Sequence, residues 1–316
     1  MRARRVFLAG AAALLVAPFL VPIADAEAPS PGAYTTAPAI SGGPAGRVAL
    51  GEPWTVRTDR HGHGAAKGWQ AGAFAGGADV AVPFSPNADK ITGLAGLRSF
   101  RGSIAWYRTT FSVPADGVYA LRFESVNHRS TVWLDGKRLG SHKGHYLPFE
   151  FRSFLRTGRS HTLVVRADWR GPAAMKADGW HRTWFNFGGI HREVTVRPIG
   201  QAELTAPTFR TRLRDGRALV DVTVHVRNYG PIREVPVEGA LVREGVRIPL
   251  TFPTLAIREK GTKIFHAQAE VADPALWSPE APNLYDLELS VPGEASYSTR
   301  VGLRELTWDG PRLLLN

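Results

Sequence analysis

The chain has 316 residues, 44% hydrophobic and 21% charged, which is room for two domains with their own cores and too apolar for a disordered chain. It contains no cysteine, so disulfides, thiolate metal sites and cysteine nucleophiles are excluded together. The net charge of +11 is spread over single Arg residues without a block of five like charges, a pattern that argues against a nucleic-acid groove and for solubility or attraction to an anionic cell wall.

Arg2, Arg4 and Arg5 precede an apolar run from Val6 to Ile23, and Ala24-Asp25-Ala26 offers small residues for cleavage. This predicts a signal peptide over residues 1–26 and an exported product. Arg4-Arg5-Val6-Phe7-Leu8 is similar to the twin-arginine export pattern. Pro18 and Pro22 interrupt the run, which weighs against a stable membrane anchor. Residues 27–47, mostly Pro, Gly, Ala, Ser and Thr, read as a linker.

From about Val48 the pattern is β throughout, and no stretch carries sustained helical periodicity. Trp106 to Val113 is aromatic and β-branched and stops at Pro114. Val118 to Val126 alternates, with Tyr119, Leu121 and Phe123 on one face and Arg122 and Glu124 on the other. Thr131-Val132-Trp133-Leu134 runs into Asp135-Gly136, a hairpin signal. His161 to Ala167 and Glu193 to Arg197 also read as alternating strands. A second unit begins near Gly200. There Val220, Val222, Val224 and Val226 face in while Asp221, Thr223, His225 and Arg227 face out, and Lys263–Val271 and Leu284–Leu289 repeat the pattern. About seven short strands in about 100 residues predict an immunoglobulin-like sandwich held by packing alone.

Several segments in order resemble glycoside hydrolase family 2, which contains β-galactosidases, β-glucuronidases and β-mannosidases. They are Trp106-Tyr107-Arg108 with Phe111, Phe123 to His128, Thr131 to Gly136, Gly140 to Tyr146 with Pro148-Phe149, and Trp184 to Arg192. Leu276 to Glu280 with Pro282 to Tyr285, then Val301 to Arg304 and Leu314-Leu315-Asn316, continue the series. The resemblance implies an all-β architecture: a jelly-roll, galactose-binding-like sandwich over 48–199, an immunoglobulin-like sandwich over 200–303, and over 304–316 a truncated entry to a (β/α)8 barrel.

The resemblance also says what is missing. Family members cleave glycosides with two carboxylates, held about 5 Å apart for retention, on a barrel of about 250 residues. The acid/base of the family commonly follows an Asn, and no Glu here does. The expectation is therefore the non-catalytic front portion of an exported β-glycosidase, with carbohydrate as ligand, a catalytic barrel as partner, and no catalytic residue, cofactor or metal of its own. In β-galactosidases of the family the first domain reaches into the barrel mouth with an Asp that matches Asp168. Trp169, Asp178, Trp180 and His181 would line the same rim.

Other signals carry little. His61-Gly62-His63 and the pair His142 and His145 lack a third metal ligand. Gly62 to Gly68 only mimics a nucleotide loop, since no helix follows. No nucleophile elbow appears. Seven of the nine Trp residues fall between Trp54 and Trp184; packing accounts for most, and stacking on sugar rings is the alternative. Two rival readings remain open, a stand-alone secreted lectin or adhesion module and a purely structural spacer.

Overall fold

The computed structural model describes residues 42–90, 92–177 and 185–316, which form two successive β-sandwiches. In the first, a six-stranded sheet runs in the order Ala78–Val80, Trp54–Thr58, Ile104–Phe111, His161–Asp168, Arg129–Leu134, Lys137–Lys143. It faces a four-stranded sheet ordered Phe149–Leu155, Gly117–Phe123, Val194–Pro198, Val48–Ala49. Trp54, Tyr107, Leu163 and Val165 from the larger sheet meet Leu121, Phe123 and Val194 from the smaller, and this layer is the core. The Asp135-Gly136 turn has positive φ at both residues, 50° and 76°, the hairpin geometry that joins Arg129–Leu134 to Lys137–Lys143.

Two local expectations need correction. His161–Asp168 was expected to alternate, yet it is buried on both faces. Leu163, Val165 and Ala167 point into the sandwich, while Val164 joins Ile104, Trp106, Trp69 and Phe74 in a second apolar cluster outside it. The 59–77 segment supplies Trp69 and Phe74 and so covers the outer face of the sheet. A strand covered on both sides reads as an unbroken apolar run, and Leu163-Val164-Val165 is one. The second correction concerns helices: Gly93–Phe100 and Pro172–Ala177 are helical. Both are too short for periodicity to register, and the first buries no residue.

The second sandwich packs Ala202–Leu204, Thr208–Arg214, Arg217–Asn228 and Thr262–Val271 against a sheet ordered Gly43–Pro44, Ala295–Val301, Tyr285–Val291, Glu238–Arg243, Val246–Thr251. The valines at 220, 222, 224 and 226 are buried as their alternation predicts. Each contributes roughly 1.5–3 kcal/mol relative to exposure. Gly43–Pro44, at the end of the segment read as linker, adds an edge strand to this second sheet through Tyr297 and Ser298. After the sandwich, Leu306–Asp309 and Arg312–Leu315 form a separate hairpin. No helix among the described residues is long and apolar enough to cross a membrane.

Charged side chains join the two sandwiches. The Glu203 carboxylate, buried at 6% exposure, accepts from Arg197 and, at 2.6 Å, from Arg152 of the first sandwich, and from the Tyr229 hydroxyl of the second at 2.7 Å. Arg197 also contacts Glu150 at 3.1 Å. Burial by itself pushes the Glu203 carboxyl up, but hydrogen bonds from Arg197 and Tyr229 and the charges of both arginines outweigh it and hold the group below its ordinary value. Burial and the neighbouring carboxylate push the Tyr229 hydroxyl up to about 12. A carboxyl held low in the folded state stabilises it above the unfolded-state pKa, and that contribution is lost as pH falls through the folded value. Glu203→Gln is expected to cost about 2 kcal/mol at neutral pH, because Arg152 and Arg197 lose one of the two carboxylates they share and keep only Glu150. In paired denaturant titrations the gap to the native chain should hold above about pH 5 and close as the solution is acidified.

Candidate functional site

The strand His161–Asp168 ends where the loops at 58–60, 86–90 and 101–103, the helix Gly93–Phe100 and Trp169 come together around a cavity of about 460 Å³. Thr58, Asn87, Ser99, Gly102, Ser103 and Trp169 contribute to its wall.

Two asparagines hold these loops together. Asn87 donates from Nδ2 to Ser99 Oγ at 2.7 Å and to the Asn186 carbonyl at 3.0 Å, while its Oδ1 accepts from the Gly188 N–H at 3.0 Å. Asn186 donates to the carbonyls of Phe100 at 2.9 Å and Trp169 at 3.0 Å. Both side chains are buried, so each bond forms away from competing water and leaving one unmade would cost the full desolvation penalty. Gly102 lies flat on the neighbouring loop with φ +81°, and a Cβ there would sit 2.0 Å from the Trp169 carbonyl oxygen. Backbone bonds from Trp169 N to Ser103 O and from Gly171 N to Arg101 O complete the brace.

Asp168 is 7% exposed and fully engaged. Its Oδ2 accepts from Arg166 at 2.8 Å and Arg170 Nη2 at 2.9 Å; its Oδ1 accepts from the Arg170 Nε at 3.0 Å and backbone N–H at 3.1 Å. Burial raises its pKa, but the hydrogen bonds from Arg170 and the two adjacent guanidinium charges prevail and hold it below the usual carboxylate range. Trp169, expected on the rim, is 1% exposed; its ring packs against Gly188, where a Cβ would come within 1.9 Å of the indole. It therefore forms part of the wall without displaying a face for stacking. Asp178, Trp180 and His181, expected on the same rim, lie outside the described residues. Asn87 and Asn186 were not singled out from the sequence. Asn186 stood inside the recognised Trp184–Arg192 segment, while only the turn-like Ser85-Pro86-Asn87 marked the other.

Elsewhere, chemistry-bearing residues serve packing. Asp59 accepts from the backbone of His63 and Gly64 and from Trp106 Nε1 at 3.0 Å. Trp106 stacks on Trp133 at 5.3 Å and meets Trp69 edge-on at 6.0 Å. The rings of His61 and His63 stack at 5.8 Å, and Nε2 of His145 lies 2.8 Å from Nδ1 of His191. Among the described residues no three His, Asp or Glu side chains are placed to share a metal ion.

Residues 49–198 match the family model described as glycosyl hydrolases family 2, sugar binding domain, and residues 202–304 match glycosyl hydrolases family 2. The chain belongs to glycosyl hydrolase family 2. A β-glucuronidase of Paenibacillus borealis is 26% identical over 291 residues, which is 83% of this chain and 46% of that protein. A β-galactosidase of Arthrobacter sp. (strain B7) is 31% identical over 229 residues, 66% of this chain and 20% of that protein. Among solved structures, a family 2 β-galacturonidase from Eisenbergiella tayi bound to galacturonate superposes with a TM-score of 0.65 at 28% identity, over 85% of this chain and 45% of that one. The family 2 chain described here thus spans less than half the length of these relatives. In this setting Asp168 is a doubly paired anchor at the end of the central strand.

Asp168→Asn removes the anion that both arginines share, and is expected to lower stability by about 2 kcal/mol at pH 7. A carboxyl held low stabilises the fold above its unfolded pKa, so the deficit should shrink as pH falls below about 4, which paired thermal melts from pH 7 to pH 3 will show.

Proposed function

We propose that this chain is the sugar-binding and immunoglobulin-like front portion of an exported β-glycosidase, and supports hydrolysis of β-linked sugars when joined to a catalytic barrel. The observation that carries this reading is the match of both family 2 domains, in order, over residues 49–304. The described residues hold two sandwiches and a hairpin. Glu150 and Glu203 both contact Arg152 and Arg197, and that ion-pair network at the junction of the sandwiches occupies them, unlike the acid/base and nucleophile that a retaining glycosidase holds about 5 Å apart.

The terminal hairpin supports a partner domain. Leu306, Trp308, Leu313 and Leu314 are all exposed on it, Trp308 to 71%. A two-stranded hairpin is marginal in water by itself, and an exposed apolar patch of this kind marks an interaction surface. The hairpin is tied back to the second sandwich: Asn316 donates to the Trp277 carbonyl at 3.1 Å, and Glu305 N–H donates to Asn316 Oδ1 at 3.0 Å. Trp277 in turn bonds to Leu303 and rests on Gly302, where a Cβ would come within 2.8 Å of it. The patch is thereby presented at a defined place. Export is supported by the positive n-region and apolar run before Ala24-Asp25-Ala26.

The purified chain is expected to release no aryl alcohol from aryl β-galactosides, β-glucuronides or β-mannosides, and measurable turnover would overturn the non-catalytic assignment. In the native host, an antibody to the Val220–Val226 strand should detect an exported product longer than 316 residues that carries β-glycosidase activity. A product beginning near residue 27, ending with this sequence and showing saturable oligosaccharide binding would instead establish a stand-alone binding module.

A further inference from the structure

We infer that the cavity beyond Asp168 is an anion subsite, built to take the carboxylate or sulfate of an acidic glycan. The inference rests on the glycosidase reading above and adds to it the charge of the sugar.

Four cations line the cavity: Arg60, Lys90, Arg98 and Arg101. Among the described residues no Asp or Glu contributes to its wall. Asp89 precedes Lys90 but makes no ion pair with it, and two other carboxylates adjacent in sequence to the wall are turned to other partners. Asp59, next to Arg60, is held by the His63 and Gly64 amides and the Trp106 indole. Asp168, next to Trp169, is neutralised by Arg166 and Arg170. Elsewhere in the jelly roll Arg47, Arg122, Arg152 and Arg197 each meet a carboxylate within 4 Å. The four cavity cations have no carboxylate within that distance among the described residues. Four unmatched positive charges round one concave wall repel one another and focus a positive potential into it, and a bound anion reverses both effects.

The rest of the wall suits a saccharide. Thr58, Asn87, Ser99 and Ser103 supply hydroxyl and amide groups of the kind that meet sugar hydroxyls. The Trp169 indole N–H is buried and has no acceptor among the described residues. A volume of about 460 Å³ lies in the range of small-ligand sites. A nucleotide would want an aromatic face for its base, and Trp169, 1% exposed, does not offer one. The asparagine brace holds the loops in place, so little ordering is needed on binding.

The test is calorimetry on the full chain with three oligosaccharides of equal length: an oligogalacturonate, a sulfated galactan fragment and a neutral galactan fragment. An acidic ligand should bind, the neutral one should give no saturable heat, and affinity should fall with added salt. Whether the carboxylated or the sulfated ligand binds identifies the source of the charge. Arg98→Ala combined with Arg101→Ala, both exposed side chains, should weaken binding by at least about tenfold. The remote exposed Arg214→Ala should leave it unchanged. Equal binding of the neutral fragment would overturn the anion subsite while leaving the glycan reading intact. Absence of binding by every ligand, or binding indifferent to the double substitution, would overturn the subsite as well. The glycosidase reading is decided separately, by hydrolysis with the native product.

Discussion

The arrangement of the two sandwiches depends on one buried carboxylate. Glu203 sits where Arg152 and Arg197 of the jelly roll meet Tyr229 of the immunoglobulin-like domain, and removing its charge would leave both guanidinium groups with Glu150 alone. An apolar interface tolerates sliding, because dispersion contacts are many and weak. A shared carboxylate does not, because its hydrogen bonds are directional and its partners come from both sides. The edge strand Gly43–Pro44 works toward the same end. It leaves the first sandwich to pair with Ala295–Val301 of the second, while Arg47 bonds to Glu124 at 2.8 Å. In a chain without cysteine, these polar ties link the two sandwiches where no disulfide can.

A second level of organisation lies on the outer face of the six-stranded sheet. Exposed, that face would be a wall of Ile104, Trp106, Val164 and Trp133. The 59–77 segment covers it with Trp69 and Phe74 and is itself pinned by Asp59. The same segment begins at the cavity, with Thr58 and Arg60 on the wall. The packing that stabilises the sheet therefore also positions the loops at its end. Three of the seven tryptophans of the first domain, Trp69, Trp106 and Trp133, belong to this second apolar layer, and Trp54 and Trp169 belong to the main core.

At the cavity, positions that look like ligand contacts and positions that build the site have exchanged places. Asp168 and Trp169, the residues that the family resemblance pointed to, are a paired anchor and a buried wall element. The cations that remain without partners stand on the flanking loops and on the short helix Gly93–Phe100. Membership of family 2 accounts for the frame.

Much was decided by sequence alone. Valines at every second position from 220 to 226 can bury one face only as a strand, because the side-chain period of a strand is two. Asp135-Gly136 had to turn, since both positions adopt positive φ at little cost only in such residues. The ordered motifs from Trp106 to Arg304 placed both domains, and the lack of cysteine meant that no disulfide would hold them. What tertiary structure decided is where polar groups point. The sequence sets Arg166 and Arg170 two residues to either side of Asp168, but it does not show that both guanidinium groups close on that carboxylate. Nor does any pattern reveal that Asn87 and Asn186, 99 residues apart in the chain, share one hydrogen bond. Periodicity reports which face of a strand is apolar; the partner of a charge is set by which loops meet in space, and that is fixed only when the whole chain has folded.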